Sequence, residues 1–191
     1  LIMFTSGTTG KPKAVLQKTG GVLLQQLKES ALHIDLRAGD RFVYLTTWGW
    51  NMWIWLVCSL ALESTIILYD GSPFFPKFTS LLDVVDEEEI GIFGVTAQYL
   101  DSIRKLRLKP NSTHDLSSLK TILSTGSPLS PANYDYVYRD IKDDVYLASI
   151  SGGSEISSCF AMGSPTQPVW RGEISVRALG MDVEILDECG S

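Results

Sequence analysis

Apolar runs rich in β-branched residues alternate along the chain with segments whose apolar residues recur at helical spacing. The runs predict strands at 1–4, 14–16, 42–45, 65–69, 90–95, 119–124, 145–150, 173–176 and 183–186. The helical patterns lie at 21–33, 51–62, 78–88 and 97–106, and a further helix opens at Ser130 and Pro131. This alternation predicts an α/β fold of βαβ units, with parallel strands, right-handed crossovers and helices on both faces of the sheet.

Two of these helices rest on distinct signals. The helix at 21–33 is predicted from the spacing of Leu23, Leu24, Leu27, Ala31 and Leu32. The helix at 51–62 is predicted from an aromatic-rich apolar run of about eleven residues. A membrane span needs roughly twenty such residues, so a buried helix is the better interpretation of that run.

Composition narrows the class of protein. The chain has 191 residues, 45% of them hydrophobic and 20% charged, which excludes disordered, collagen-like and coiled-coil proteins. Its formal net charge of −6 argues against nucleic acid as a partner, because phosphate neutralisation needs a basic face. Three cysteines and two histidines at irregular spacing predict neither a disulfide framework nor a zinc site. We expect the acidic run 83–89 to be a solvated helix face.

Three polar, glycine-containing loops follow predicted strands: the first loop at 5–13, the second at 125–128 and the third at 151–155. In open parallel sheets, ligands bind where loops leave the carboxyl ends of strands. The first loop reads Thr5-Ser6-Gly7-Thr8-Thr9-Gly10-Lys11-Pro12-Lys13. Its glycines, hydroxyl groups and lysines suit phosphate oxygens. Its glycine spacing and Pro12 differ from both the P-loop of kinases and the dinucleotide fingerprint.

The first loop matches the pattern [ST]-[ST]-G-[ST]-[ST]-G-x-P-K at every position. It thereby resembles the phosphate-binding loop of the adenylate-forming superfamily, which comprises acyl-CoA synthetases, firefly luciferases and the adenylation domains of peptide synthetases. The other two loops resemble the family's next motifs, in the same order. Gly126-Ser127-Pro128 matches the Gly-x-Pro segment at the adenine, and Gly153-Ser154-Glu155 stands where the family has Thr-Glu, with Ser in place of Thr.

The resemblance implies a role for each motif. The ATP phosphates would be held by Thr5, Ser6, Gly7, Thr8, Thr9, Gly10 and Lys13. Gly126, Ser127 and Pro128 would border the adenine, Ser154 would donate to a phosphate, and Glu155 would ligate Mg²⁺. Lys13, Ser154 and Glu155 are therefore the candidate catalytic residues.

Within the family, the whole chain resembles the acetoacetyl-CoA synthetase branch, with similar runs at 20–24, 39–73 and 149–153. Acetyl-CoA synthetases carry bulky tryptophans just before the third-loop motif, where this chain has Ser151, Gly152 and Gly153. Removing those rings would free space for a longer acid such as acetoacetate. Trp50 is the candidate for the opposite wall of the acyl pocket, with Trp48 and Trp53 as further candidates.

The resemblance implies ATP-dependent activation of acetoacetate to an acyl-adenylate, followed by transfer to CoA, in a cytosolic enzyme of ketone-body and lipid metabolism. It also implies that residues 1–191 are part of the large N-terminal adenylation domain. The family's ribose-binding Asp, its C-terminal domain with a catalytic Lys and its preceding subdomain are not recognisable in this sequence. We therefore expect this chain to be inactive by itself. Two alternatives remain open: activation of another short-chain acid, and a non-catalytic nucleotide-binding truncated isoform.

Overall fold

The computed structural model describes residues 1–5 and 10–190. The N-terminal elements are β1 (Ile2–Thr5), β2 (Lys13–Leu16), α1 (Thr19–Leu32), β3 (Arg41–Tyr44), α2 (Asn51–Cys58) with a 3₁₀ turn at Ser59–Leu62, β4 (Thr65–Ile67) and α3 (Ser80–Glu87). They are followed by β5 (Ile92–Thr96), α4 (Ala97–Lys105), a 3₁₀ turn at Pro110–Ser112, β6 (Thr121–Thr125) and α5 (Pro131–Tyr136) with a π-helical turn at Val137–Ile141. The C-terminal elements are β7 (Tyr146–Ser149), β8 (Ser151–Gly153), β9 (Ser158–Met162) and β10 (Val176–Arg177).

The centre of the fold is a five-stranded sheet in the order β4-β3-β5-β6-β7. Every neighbouring pair in it is parallel. Successive residues of β3 point to opposite faces: Phe42 and Tyr44 join the apolar cluster that contains α2, whereas Val43 joins the cluster that contains α3, α4 and α5. The predicted α/β architecture, with parallel strands and helices on both faces, is confirmed.

The strand order places a crevice at one end of this sheet. The chain runs from β3 outward to β4, then crosses back over β3 to β5 and continues to β6 and β7. Parallel sheets open a crevice at such a switch point, outside the carboxyl ends of the strands. The carboxyl ends of β6 and β7 are Thr125 and Ser149, so the second and third loops begin at this edge.

The first predicted strand is not part of the parallel sheet. Among the described elements, β1 pairs with β2 alone, antiparallel, from Ile2 opposite Leu16 to Thr5 opposite Lys13. The prediction that the first loop leaves a strand of the parallel sheet is therefore wrong. The physical reason is the length of the connection, since two parallel strands need a crossover of about a dozen residues or more and a hairpin does not.

The C-terminal region also differs from the prediction. Residues 183–186 form no strand, and of 173–176 only Val176 belongs to one, β10. Ile185 is 98% exposed, and no strand among the described residues pairs with this apolar run. Two strands that the sequence did not predict, β8 and β9, join β10 in an antiparallel sheet of three strands, in the order β10-β9-β8. Glycine and serine disfavour strands intrinsically, so tertiary pairing decides the structure at β8.

Helix α1 is confirmed, but the leucines whose spacing predicted it are not its buried residues. Leu24 is 71% exposed, whereas Val22, Gln26, Glu29 and Ser30 are buried. The inner side of the helix packs against the polar turn before β9 and against β9 itself. Gln26 donates to the carbonyl of Ser157 in the turn, and the Glu29 carboxylate accepts from the Cys159 amide in β9. No helix in the described part of the chain is both long and apolar enough to cross a membrane.

Candidate active site

A cavity of about 470 Å³ lies at the carboxyl ends of β6 and β7. Its wall contains eight of the residues selected from the sequence: Trp50, Gly126, Ser127, Pro128, Ser151, Gly152, Gly153 and Ser154. The structure therefore brings the second loop, the third loop and the candidate acyl-pocket tryptophan around one space.

The second loop turns sharply at Gly126, whose φ of 86° lies in the left-handed region. A glycine adopts this conformation without the steric cost that a side chain would add. The hydroxyl of Thr125 donates to the carbonyl of Ile150 at 2.9 Å and so ties the second loop to the start of the third. The two loops are fixed relative to each other at the cavity.

The third loop begins with β8 and ends in the turn that leads to β9. Gly152 lies opposite Cys159, and a Cβ at Gly152 would overlap the carbonyl oxygen of Ser158. The close approach of the two strands thus requires glycine at position 152, whether or not a substrate uses the space beside it. Ser157, in the turn, has φ 49°, a left-handed conformation that is uncommon for a residue with a side chain.

Glu155 lies in this turn, exposed, and is not part of the cavity wall. Its Oε2 would lie 3.2 Å from a Cβ at Gly153, so the carboxylate stands beside β8 at the edge of the site. No donor among the described residues forms a hydrogen bond or ion pair with this carboxylate. Mg²⁺ binds through one or two carboxylates together with substrate phosphates, and an exposed carboxylate one residue after Ser154 fits that requirement. Within the described ranges, no group of three or more His, Cys, Asp or Glu side chains could hold a metal ion.

Part of the first loop lies outside the described residues, namely Ser6, Gly7, Thr8 and Thr9. Of its other residues, Thr5 and Lys13 pair at the loop end of the β1–β2 hairpin, and Gly10 is exposed. None of these three lines the cavity. The contact that fixes the hairpin to the site was not predicted from the sequence: Gln17 Nε2 donates to the carbonyls of Ser154 at 3.2 Å and Glu155 at 2.8 Å.

The tryptophans separate into two groups. Trp50 lines the cavity and packs edge-on against Tyr44, with ring centroids 6.2 Å apart. Trp48 is 84% exposed and packs against Trp53 at 6.1 Å, and neither is part of the cavity wall. Of the three tryptophans expected to line the acyl pocket, only Trp50 lines this cavity in the described part of the chain. Met52 and Trp55 of α2 line the cavity instead, because one side of this short helix faces it.

The cavity also has polar residues that sequence reasoning missed, namely Gln26 and Glu29 of α1 and Ser158 and Cys159 of β9. Glu29 is 1% exposed. Its carboxylate accepts from the Cys159 amide at 2.9 Å, the Cys159 thiol at 3.6 Å and the Ser158 hydroxyl. Burial, and next the negative charge of Glu29, raise the pKa of the Cys159 thiol well above its ordinary value, so it stays protonated at neutral pH.

Comparisons with known proteins agree with the family resemblance of the three loops. The family model of AMP-binding enzymes matches residues 1–191. The acetoacetyl-coenzyme A synthetase of Rhizobium meliloti (strain 1021) is 52% identical over 189 residues, which cover 99% of this chain and 29% of that protein. The malonamoyl-CoA synthetase of Penicillium aethiopicum is 42% identical over 197 aligned positions, which cover 96% of this chain and 27% of that protein.

A solved structure is also similar. The acetoacetyl-CoA synthetase from Streptomyces lividans superimposes with a TM-score of 0.93 at 40% sequence identity. The superposition covers 100% of this chain and 30% of that one. The chain thus spans less than a third of the length of these relatives.

Proposed function

We propose, since the chain belongs to the AMP-binding enzyme family, that the protein containing it is an acetoacetate–CoA ligase. It would activate acetoacetate with ATP to an acyl-adenylate and then transfer the acyl group to CoA, in the cytosol. The observation that carries the proposal is the cavity that Trp50 and the second and third loops line together. The choice of acid is supported by relatives named acetoacetyl-CoA synthetases, one of them 52% identical.

In the first half-reaction the substrate carboxylate attacks the α-phosphorus of ATP. A bond forms between the carboxylate oxygen and that phosphorus, the bond to the bridging oxygen breaks, and pyrophosphate leaves. Such transfers depend on positioning and charge neutralisation more than on covalent chemistry by the protein. Gly126, Ser127 and Pro128 would border the adenine. The first loop with Lys13 would hold the β- and γ-phosphates, and the Ser154 hydroxyl would donate to a phosphate oxygen.

Glu155 would hold Mg²⁺ in this site. The ion, when bound, neutralises phosphate charge, which favours departure of pyrophosphate. The contribution of the chain is the position of the carboxylate. The hairpin from β8 to β9 holds the turn that carries Glu155, and Gln17 links this turn to the strand that leaves the first loop.

The acyl group would occupy the cavity between Trp50 and β8. A volume of about 470 Å³ suits small ligands, and Ser151, Gly152 and Gly153 contribute little side-chain bulk to one wall. In the second half-reaction the CoA sulfur attacks the carbonyl carbon of the adenylate and AMP leaves. We propose that residues 1–191 by themselves do not complete this sequence at a useful rate. A thioester assay on this chain with acetoacetate, ATP, Mg²⁺ and CoA tests the point, and sustained turnover would refute it.

A second acid class has specific support, because the malonamoyl-CoA synthetase of Penicillium aethiopicum is 42% identical to this chain. An acid panel on the full-length protein separates the two, with acetoacetate, malonamate, acetate and butyrate compared by pyrophosphate exchange into ATP. Preference for acetoacetate supports the proposal, and preference for any other acid contradicts it.

The same exchange assay tests the assigned residues. We expect Lys13→Ala and Glu155→Gln to lower exchange on the order of 100-fold, the effect of removing one preorganised charge from a phosphate site. Lys109→Ala and Glu87→Gln change exposed residues of the same types away from the site and serve as matched controls. Calorimetric ATP binding without any exchange, in the unmodified protein, would instead indicate a non-catalytic nucleotide-binding protein.

A further inference from the structure

One buried polar atom in the cavity wall has no partner. Among the described residues, four buried side-chain oxygens lack a hydrogen bond: Gln26 Oε1, Tyr44 OH, Tyr99 OH and Ser124 Oγ. Of these four described residues, only Gln26 lines the cavity. Buried polar groups are nearly always paired, because an unpaired one loses its hydrogen bonds to water without replacement. A ligand or a water in the cavity is the natural partner for Gln26.

The Gln26 amide is held in place from its other end. Its Nε2 donates one hydrogen to the carbonyl of Ser157 at 2.5 Å. Ser157 is fixed in turn, because its hydroxyl donates to Asn51 Oδ1 at 3.2 Å and its amide to the carbonyl of Ser154 at 3.3 Å. The Gln26 side chain is 1% exposed. A primary amide has two hydrogens and an acceptor oxygen, so one hydrogen and the oxygen remain for a ligand.

The neighbouring polar groups are already used. Glu29 accepts hydrogen bonds from the Cys159 amide and thiol and from Ser158, and it forms an ion pair with Lys28 at 3.5 Å. Met52 and Trp55 of α2 give the cavity wall an apolar part. The wall also carries the polar side chains of Asn51, Ser127, Ser149, Ser151 and Ser154. Among its residues in the described part of the chain, Gln26 is distinguished by a buried side-chain oxygen without a hydrogen bond.

We propose that Gln26 is a specificity-determining residue of the acyl pocket, and that its amide hydrogen-bonds to a polar group on C3 of a short carboxylic acid. This inference rests on the proposed function. A 3-oxo group accepts the free N–H but has no hydrogen for Oε1, whereas a carboxamide both accepts the N–H and donates to Oε1. An unsubstituted acid of the same length leaves the amide unpaired, which is the arrangement that enzymes use to reject an analogue lacking a polar group.

Gln26→Met tests this inference in the full-length protein, since methionine has a similar length and no hydrogen-bonding amide. The measured quantity is kcat/KM for adenylate formation with acetoacetate divided by that with butyrate, which has four carbons but no 3-oxo group. We expect this ratio to fall about tenfold, the typical effect of one neutral hydrogen bond. Gln98→Met makes the same change on an exposed face of α4 and leaves the ratio within twofold.

An unchanged ratio in folded Gln26→Met would overturn the inference. If that variant does not fold, the unmodified protein still decides, because butyrate used within twofold of acetoacetate would also overturn it. In that case acetoacetate is still a substrate, and the proposed function stands. Turnover of malonamate in place of acetoacetate would contradict the proposed acid but support a polar group at C3. Turnover of butyrate without acetoacetate would overturn both.

Discussion

Gln17 connects the two parts of the site that would meet the ATP phosphates. It follows β2, and its backbone pairs with Leu1 through two hydrogen bonds, of 2.9 Å and 3.1 Å. Its side-chain amide reaches across to the third loop and donates to the carbonyls of Ser154 and Glu155. Gln17→Leu removes both side-chain bonds and leaves the backbone pairing unchanged.

The structure sets the size of the effect. Each of the two bonds contributes about 0.5–1.5 kcal/mol, with the bond to Ser154 partly buried and the one to Glu155 exposed. Their combined loss of about 2 kcal/mol corresponds to roughly a 30-fold change if all of it appears at the transition state. We therefore expect kcat/KM for ATP to fall between about tenfold and 30-fold.

The assay is pyrophosphate exchange with ATP varied at saturating acetoacetate, on the full-length protein. Gln98→Leu, on an exposed face of α4, is the matched control. The preference for acetoacetate over butyrate should not change, because Gln17 is not part of the cavity wall. A loss in kcat/KM for ATP below twofold would refute the reasoning, and so would a change in acid preference as large as the change for ATP.

Three further predictions concern individual residues. Gly152→Ala should lower the free energy of unfolding by about 1–3 kcal/mol in denaturant melts, since a methyl group there overlaps a backbone carbonyl of β9; Gly49→Ala, with nothing within 4 Å, should change it by less than about 0.5 kcal/mol. Cys159 should react with iodoacetamide far more slowly than exposed Cys189 at pH 8, because burial raises the pKa of its thiol. The rate of Cys159 should increase only when the pH rises well above the ordinary thiol pKa, and equal rates for the two cysteines at pH 8 would contradict this prediction. Glu155→Gln should raise the Mg²⁺ concentration needed for half-maximal exchange, and an unchanged Mg²⁺ dependence would exclude it as a ligand.

The α/β fold was predictable because its signals are local. Apolar runs of strand length separated by helical patterns give β3 to β7 and α2 to α4 within a few residues of their bounds. The solved Streptomyces lividans structure, with a TM-score of 0.93, confirms the acyl-CoA synthetase fold that the motifs implied. The wrong assignments concern pairing between elements. β1 was assigned to the parallel sheet, β8 and β9 were not predicted, and residues 183–186 were assigned to a strand that the described structure does not contain.

In the candidate site, too, the residues of local motifs were predicted and those that depend on distant partners were not. Gly126, Ser127 and Pro128 were found because they form a short continuous motif, and the structure places them in the cavity wall. Gln17 and Gln26 were not found, since their partners are 138 and 131 residues away in the sequence. Glutamine is mostly exposed in proteins, so its presence on a helix does not by itself indicate a site.

The most direct test of the proposed function is the product analysis of the full-length protein incubated with acetoacetate, ATP, Mg²⁺ and CoA. An acetoacetate–CoA ligase of this family forms the acetoacetyl thioester together with equal amounts of AMP and pyrophosphate, and mass spectrometry with nucleotide chromatography detects all three. Formation of ADP and phosphate, or release of AMP without any thioester, would contradict the proposed function.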